Sequence, residues 1–329
     1  MQPPVTRQRH ERRAADQTAF IAQREAGLVG LGGAMTGEWL ARAVLGLLWV
    51  LQRLPLGVQA ALGRGLGGLL HRLANRRRRV ALRNVALCLP DWDEGRRRQL
   101  VREHFQWLAR SLLERGLLWY ASPARLRSLI HVEGDVGLAQ RSAKPVMWLV
   151  PHFVALDVAG VATQLFQGGK VASIYQAQSN AVFDQAMRSG RLRFGLAEIF
   201  ARSERALPLV RAIKRGRAFF NLPDMDFGAK DAAFVPFFSV PAATLLAPAR
   251  MARSLGMLVQ PVVAEILPGG QGYRVRFLPP WDDFPGDDDI AAARRMNRWI
   301  EDQIRLNPAQ YLWVHKRFKT RPAGEAPLY

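Results

Sequence analysis

A run of five apolar residues, Val146-Met147-Trp148-Leu149-Val150, stops at Pro151-His152. It is too short and too uniformly apolar for an amphipathic helix, and it predicts a buried strand over 146–150. From about residue 143 onward, such runs alternate with helical spacing. Further strands are predicted over 171–175, 217–222, 234–238, 257–264 and 273–278. Helices are predicted over 153–166, 180–193, 204–215, 242–255 and 288–305, with Pro248 breaking the fourth. The last begins at the acidic run Asp287-Asp288-Asp289, which suits the helix dipole, and stops at Asn307-Pro308. This alternation predicts an α/β fold with a mixed, mainly parallel central sheet flanked by helices. The core so defined covers 131–322, no linker divides it, and 323–329 is left as a tail.

The first third follows another pattern. Residues 27–51 are long enough to cross a bilayer but contain Glu38 and Arg42. Each charge near a helix centre costs about 2.5–3.5 kcal/mol on insertion. The charge-free part, Ala43 to Leu51, is too short to span. A second helical stretch follows Pro55, carries Gly63, Gly65, Gly67 and Gly68 among leucines, and runs into Arg76-Arg77-Arg78-Arg79. Apolar faces beside arginine clusters describe interfacial helices on an anionic membrane. The plainer alternative is a pair of core helices with a solvated charge run. Residues 96–120 form an amphipathic helix, with Leu100, Val101, His104, Phe105, Leu108, Leu112 and Leu113 on one face. The chain thus divides into a polar extension over 1–26, a helical membrane-associated region over 27–130, and the core. The extension lacks a signal-peptide apolar region.

Charge narrows the partners. The 329-residue chain carries a net charge of +20, with only six lysines. Residues 1–130 hold 22 Arg and no Lys against 9 acidic residues. Such a surface suits an anionic membrane, an acidic protein or nucleic acid. No zinc-finger or RNA-binding signature occurs, which ranks nucleic acid last. The lone cysteine, Cys88, excludes an internal disulfide and a cysteine metal cluster.

Four clusters could carry chemistry. The first is His152 with Asp157. The histidine ends a strand, where α/β proteins bind ligands, and the carboxylate follows in the predicted helix. Residues five apart on a helix point roughly 140° from each other. The two can therefore meet only if His152 precedes the helix proper, which Pro151 favours. An imidazole held by a carboxylate can take a proton from an alcohol. The alternative is a histidine satisfied by a backbone carbonyl. The second cluster, Arg188, Arg191 and Arg193, is either an anion clamp or a solvated face. The third, Asn221 to Gly228, is either a ligand loop with Asp224 and Asp226 or a turn. The fourth, Tyr311 to Arg321, mixes aromatics and cations, fit either to meet anionic lipid or to close the fold. No Gly-x-Ser-x-Gly elbow and no phosphate-binding Gly-Lys-Ser/Thr loop is present. A lone histidine with nearby carboxylates makes no metal site.

His152-x4-Asp157 resembles the His-x4-Asp/Glu motif of lipid acyltransferases. Glycerol-phosphate members precede it with Asn and follow it with Phe-Pro-Glu-Gly-Thr-Arg; here Pro151 stands before it and that block is missing. The chain instead resembles the late acyltransferases of lipid A biosynthesis in Gram-negative bacteria, over roughly 39–322. The resemblance runs through Arg76–Arg83, Asn84-x3-Cys88-Leu89-Pro90, Pro151-His152-Phe153 and Arg191-Leu192-Arg193-Phe194-Gly195. It continues through Pro223-Asp224-Met225-Asp226-Phe227-Gly228, Phe234-Val235-Pro236-Phe237-Phe238 and Gln310 to Lys319. It implies a glycerolipid-acyltransferase-like core on the cytoplasmic face of the inner membrane, with no cofactor. It implies acyl transfer from acyl carrier protein to a hydroxyl of an acylated lipid A precursor. His152 would be the general base, Asp157 its partner, and the amides of a helix beginning near Phe153 the oxyanion donors. Arg191, Arg193 and Asp224 would position the acceptor or its phosphate. Another membrane glycolipid or aminolipid acceptor, or a non-catalytic membrane-binding homologue, are the alternatives.

Overall fold

The computed structural model describes residues 37–329. The expectations for 1–26, and for 27–36 of the apolar segment, lie outside the described residues. An opening helical layer contains α1 (residues 37–51), α2 (Leu56–Leu73), α3 (Asn75–Cys88), α4 (Glu94–Leu113), α5 (Arg115–Tyr120) and α6 (Pro123–Leu129). The predicted 96–120 helix is therefore two, broken at Glu114. That residue turns its carboxylate inward to Arg110, at 2.8 Å, and receives the Tyr273 hydroxyl, also at 2.8 Å.

The rest is built on a seven-stranded sheet. Its strands are β1 (Ile130–Gly134), β2 (Val146–Leu149), β3 (Val171–Tyr175), β4 (Ala197–Ala201), β5 (Ala218–Asn221), β8 (Leu258–Ile266) and β9 (Tyr273–Phe277). Between them, β6 (Ala232–Phe237) and β7 (Val240–Leu245) form a separate antiparallel hairpin. The sheet order is β1-β9-β8-β2-β5-β3-β4, and every pairing is parallel except β8 with β9. The α/β class and the mainly parallel sheet agree with the sequence.

The sheet is buried on both faces because β2 sends alternate side chains into different cores. Val146, Trp148 and Val150 pack with Val158, Ala159 and Ala162 of α8 (Leu156–Leu165). Met147 and Leu149 pack instead against Leu209 and Ile213 of α10 (Leu207–Lys214), Ala249 of α11 (Ala247–Leu255) and Met296 of α12 (Asp289–Leu306). α7 (Leu138–Arg141) and α9 (Ala181–Leu192) complete the helices.

Two predicted helices differ, and two strands are new. The helix expected over 242–255 is strand β7 followed by α11, and Pro248 starts that helix rather than breaking it. The helix expected from 153 begins at Leu156, after a turn closed by Phe153 N–H on the Pro151 carbonyl at 2.8 Å. Strands β1 and β4 were not anticipated.

Among the described residues, no helix is long and apolar enough to cross a membrane. Trp39, Leu40, Leu47, Trp49 and Val50 on α1, and Val58, Leu62, Leu69 and Leu73 on α2, are exposed. Arg42 and Arg53 lie over the rings of Trp39 and Trp49.

Candidate functional site

Sheet register brings the two central residues together. Parallel strands β2 and β5 pair Leu149 with Asn221. His152 and Asp224 each lie three residues past that pair, at the carboxyl ends of neighbouring strands. The His152 Nδ1 is 2.6 Å from Asp224 Oδ1, and the His152 backbone N–H donates to Asp224 Oδ2 at 2.9 Å. A carboxylate only accepts, so Nδ1 carries the hydrogen and Nε2 remains as a base. His152 lines a cleft with Arg115, Trp119, Asp157, Arg191 and Leu312.

Burial alone would raise the Asp224 carboxyl, whose residue is 1% exposed. The charge and hydrogen bonds of His152, with the Arg317 guanidinium, outweigh burial and hold it below the usual carboxylate range. Asp224 is thus ionised at neutral pH.

Asp157 is not the hydrogen-bonding partner of His152. It sits on the first turn of α8 and accepts from Arg191 Nη2 at 2.7 Å, with Arg115 Nη2 at 3.6 Å. Burial raises its carboxyl, but Arg191 and then Arg115 lower it further. Two guanidiniums share one carboxylate, which leaves a positive charge in the cleft wall. Arg115 carried no sequence signal. Asp224, read as an acceptor-positioning residue, instead stands where Asp157 was expected. Arg193 does not face this cleft: its Nη1 donates to the Leu118 carbonyl at 2.9 Å and its Nη2 to that of Ala121. The amides expected to meet an oxyanion are occupied as well. Phe153 N–H is held in its turn, and Val154 N–H donates to the Gln310 carbonyl at 2.8 Å.

The fourth sequence cluster closes the fold over the pair. Phe153 bridges to Tyr311, and Leu312 N–H donates to the His152 carbonyl at 3.0 Å. His315 Nε2 accepts the Asp226 N–H at 3.1 Å. Asp226 accepts the Thr320 N–H and hydroxyl at 2.6 and 2.7 Å. The carboxylate loop and the C-terminal strap therefore lock each other in place. Cys88 is buried, and burial pushes its thiol well up, so it stays protonated.

A narrow apolar pocket opens from the cleft. It shares Leu156, Asp157, Arg191 and Leu222 with the cleft, and Leu118, Val161, Ile199 and Phe220 line the rest. Trp119 lines both spaces. It fits against α9 because residue 190 is glycine; a Cβ there would come within 2.2 Å of Trp119 Cδ1.

Two buried histidines predict a pH dependence of stability. His104 donates Nδ1–H to the Ala309 carbonyl at 3.1 Å. Burial pushes it down to about 4, and burial followed by the neighbouring His152 charge does the same for His315. The unfolded chain binds these protons near pH 6.5, whereas the folded chain does not until about 4. Stability is therefore full above the higher value and falls as the pH drops through that window. For His104 the loss is roughly 3 kcal/mol. Urea unfolding between pH 7.5 and 5 is expected to show this decline, with a shallower slope for His104→Gln. A flat profile would contradict it.

An imidazole–carboxylate pair at the carboxyl ends of a parallel sheet, beside a cationic wall and an apolar slot, is suited to activating a hydroxyl next to a hydrocarbon chain. Comparison with known proteins gives the class a family. The model for bacterial lipid A biosynthesis acyltransferases matches residues 33–320. The chain is 34% identical over 294 residues to the lipid A biosynthesis palmitoleoyltransferase of Escherichia coli (strain K12), covering 88% of this chain and 94% of that one. It is 32% identical over 294 residues to the lauroyltransferase of the same organism, covering 88% and 95%. To the myristoyltransferase it is 32% identical over 303 residues, covering 89% and 90%. A solved 1-acyl-sn-glycerophosphate acyltransferase from Thermotoga maritima aligns with TM-score 0.36 and 12% identity, over 70% of this chain and 97% of that one, a likeness too slight to bear on the site. The chain belongs to the bacterial lipid A biosynthesis acyltransferase family, and it is an acyltransferase.

Proposed function

We propose that the protein transfers a fatty acyl chain from the thioester of acyl carrier protein to a hydroxyl of an acylated lipid A precursor. The observation that carries this reading is the His152–Asp224 pair, whose free Nε2 belongs to a cleft that continues into an apolar pocket. His152 Nε2 takes the hydroxyl proton as the oxygen bonds to the thioester carbonyl carbon. The carbon–sulfur bond then breaks, and the imidazolium returns the proton to the leaving thiolate. A thioester is already activated, so no covalent enzyme intermediate is needed. Asp224 fixes the tautomer and stabilises the imidazolium. Arg191 and Arg115, balanced by one carboxylate, draw a phosphate of the acceptor to the cleft.

The apolar pocket takes the acyl chain. Exposed tryptophans and leucines on α1 and α2, flanked by arginines, rest on an anionic membrane, the cytoplasmic face of the bacterial inner membrane. Basic charge there also attracts acidic acyl carrier protein.

The relatives carry different chain names at nearly equal identity, so overall similarity does not select a chain length. Gly160 lines the pocket, and a Cβ there meets nothing within 4 Å. Lauroyl, myristoyl and palmitoleoyl carrier-protein thioesters are to be offered with a lipid A precursor and the products read by mass. One acylated sugar lipid is expected, with the preference of Gly160→Leu moved to a shorter chain by about tenfold or more. No acylation from any thioester would overturn the function. An unchanged chain preference in Gly160→Leu would overturn the pocket assignment.

A further inference from the structure

Among the described residues, no carboxylate contacts the buried guanidinium of Arg317. It is 2% exposed. Its Nη1 donates to the Ala243 carbonyl at 2.8 Å and its Nη2 to the Thr244 hydroxyl at 3.0 Å, both on β7. Its Nε finds no acceptor. Among the described residues one other arginine is as deeply buried, Arg110, and that one is paired with Glu114. A full positive charge taken from water and bonded only to neutral acceptors is expensive unless a negative charge lies within reach of its field.

The carboxylate on which the Arg317 charge acts is Asp224. The guanidinium lies 5.2 Å from the centre of the Phe237 ring. Phe237 in turn packs on Tyr311, with ring centres 6.2 Å apart, and Tyr311 faces Asp224. We infer that Arg317 is a positioning residue: from behind this aromatic layer, without touching substrate or the pair, it keeps Asp224 charged and thereby keeps His152 oriented. The inference rests on the roles given above to His152 and Asp224.

His152 itself contributes most, through its charge and its hydrogen bonds, and Arg317 is the cation that adds to this from outside the pair. His315 is neutral at working pH, and Tyr311 keeps its proton, so it offers Asp224 a hydroxyl and not a charge. Asp226 has the wrong sign and is spent on Thr320 and Gly228, with Lys319 beside it. Arg191 and Arg115 act on Asp157, whereas the arginine that acts on Asp224 is Arg317. Cys88 and Tyr329, on which the Arg317 charge also acts, keep their protons, and Glu301 pairs with Arg305 at 3.5 Å.

Two measurements test the inference. In the pH–rate profile of acyl transfer, Arg317→Met is expected to move the acidic limb up by about one unit, because a lost cation makes the pair easier to protonate. Arg317→Lys keeps the charge and leaves the limb in place. Thr244→Val, which removes an anchor and not the charge, lowers the melting temperature without moving the limb. An unmoved limb in Arg317→Met would overturn the inference. The second measurement needs no activity. Asp224→Asn strands the buried guanidinium, so the stability lost in Arg317→Met/Asp224→Asn should be smaller than the sum of the two single losses. Simple additivity would overturn the inference, and a double variant that folds where Arg317→Met does not would support it. A wild-type protein that transfers no acyl group defeats the functional reading, while the stability cycle still decides the fate of Arg317.

Discussion

His152→Ala should abolish acyl transfer and leave the fold in place. Its imidazole side chain is 12% exposed at the cleft, and the Asp224 oxygen bonded to the His152 backbone N–H keeps that bond whatever the side chain. Deleting the ring removes the general base, worth about 10²–10⁴-fold in rate. Asp224→Asn should cost nearly as much by a different route. The amide offers an N–H where the carboxylate accepted one, so Nδ1 must turn into the acceptor and the hydrogen moves to Nε2, the wrong nitrogen for a base. Residues that act as one unit are not additive. The double variant is therefore expected to be no slower than His152→Ala alone, with unchanged circular dichroism in all three. Near-normal turnover by His152→Ala would remove the base assignment. Losses that multiply in the double variant would separate Asp224 from the histidine.

That pairing marks the limit of what the chain discloses. His152 is legible, because an apolar run ending in Pro-His places it at a strand's carboxyl end. Its partner is not, because Asp224 is 72 residues away and only the sheet order brings β5 beside β2. Once Leu149 is registered with Asn221, equal steps beyond each strand deliver the pair. Asp157, five residues on, had the spacing of the motif but lies in a helix that begins only at Leu156. The central strands β2, β5 and β8 were readable because burial on both faces forces apolar runs, and β9 because Tyr273, Val275 and Phe277 alternate with Arg274 and Arg276. The edge strands were not. In β4 all five residues are half-buried, and β1 alternates only over Ile130 to Glu133 and is buried only at Ile130, so neither carries a strong strand signal. β7 contains Pro241 and two alanines, which suit a helix as readily as a strand, and it is a strand because it pairs with β6. Arg193 and Arg191 share a motif yet face different ways, a distinction made by packing rather than by residue type.

The glycines that stand among the leucines of α2 form a graded test of how the helical layer supports the site. A Cβ at Gly67 would sit 2.4 Å from the Gln106 Cα and 2.6 Å from the Phe105 carbonyl oxygen on α4. At Gly63 it would meet Arg110 Cγ at 2.5 Å and its Cα at 2.9 Å. At Gly65 and Gly68 it would meet nothing within 4 Å. Gly67→Ala must push two helix backbones apart, since backbone cannot rotate away as a side-chain tip can. The cost is expected to be about 3 kcal/mol, at the upper end of overpacking. Gly63→Ala additionally dislodges Arg110, which bonds Glu114 and the Leu267 carbonyl in a buried network. In contrast, Gly65→Ala and Gly68→Ala relieve the entropic penalty of glycine in a helix and should stabilise by roughly 0.5–1 kcal/mol. Thermal unfolding of the four variants should therefore split into two losses and two small gains, and equal shifts at Gly67 and Gly68 would contradict the close approach of α2 to α4. The split should extend to catalysis. His104 of α4 holds the Ala309 carbonyl, and the neighbouring Gln310 carbonyl receives Val154 N–H two residues from His152. A displaced α4 loosens that strap, so Gly67→Ala should lose transfer activity below its own melting point, whereas Gly68→Ala should not.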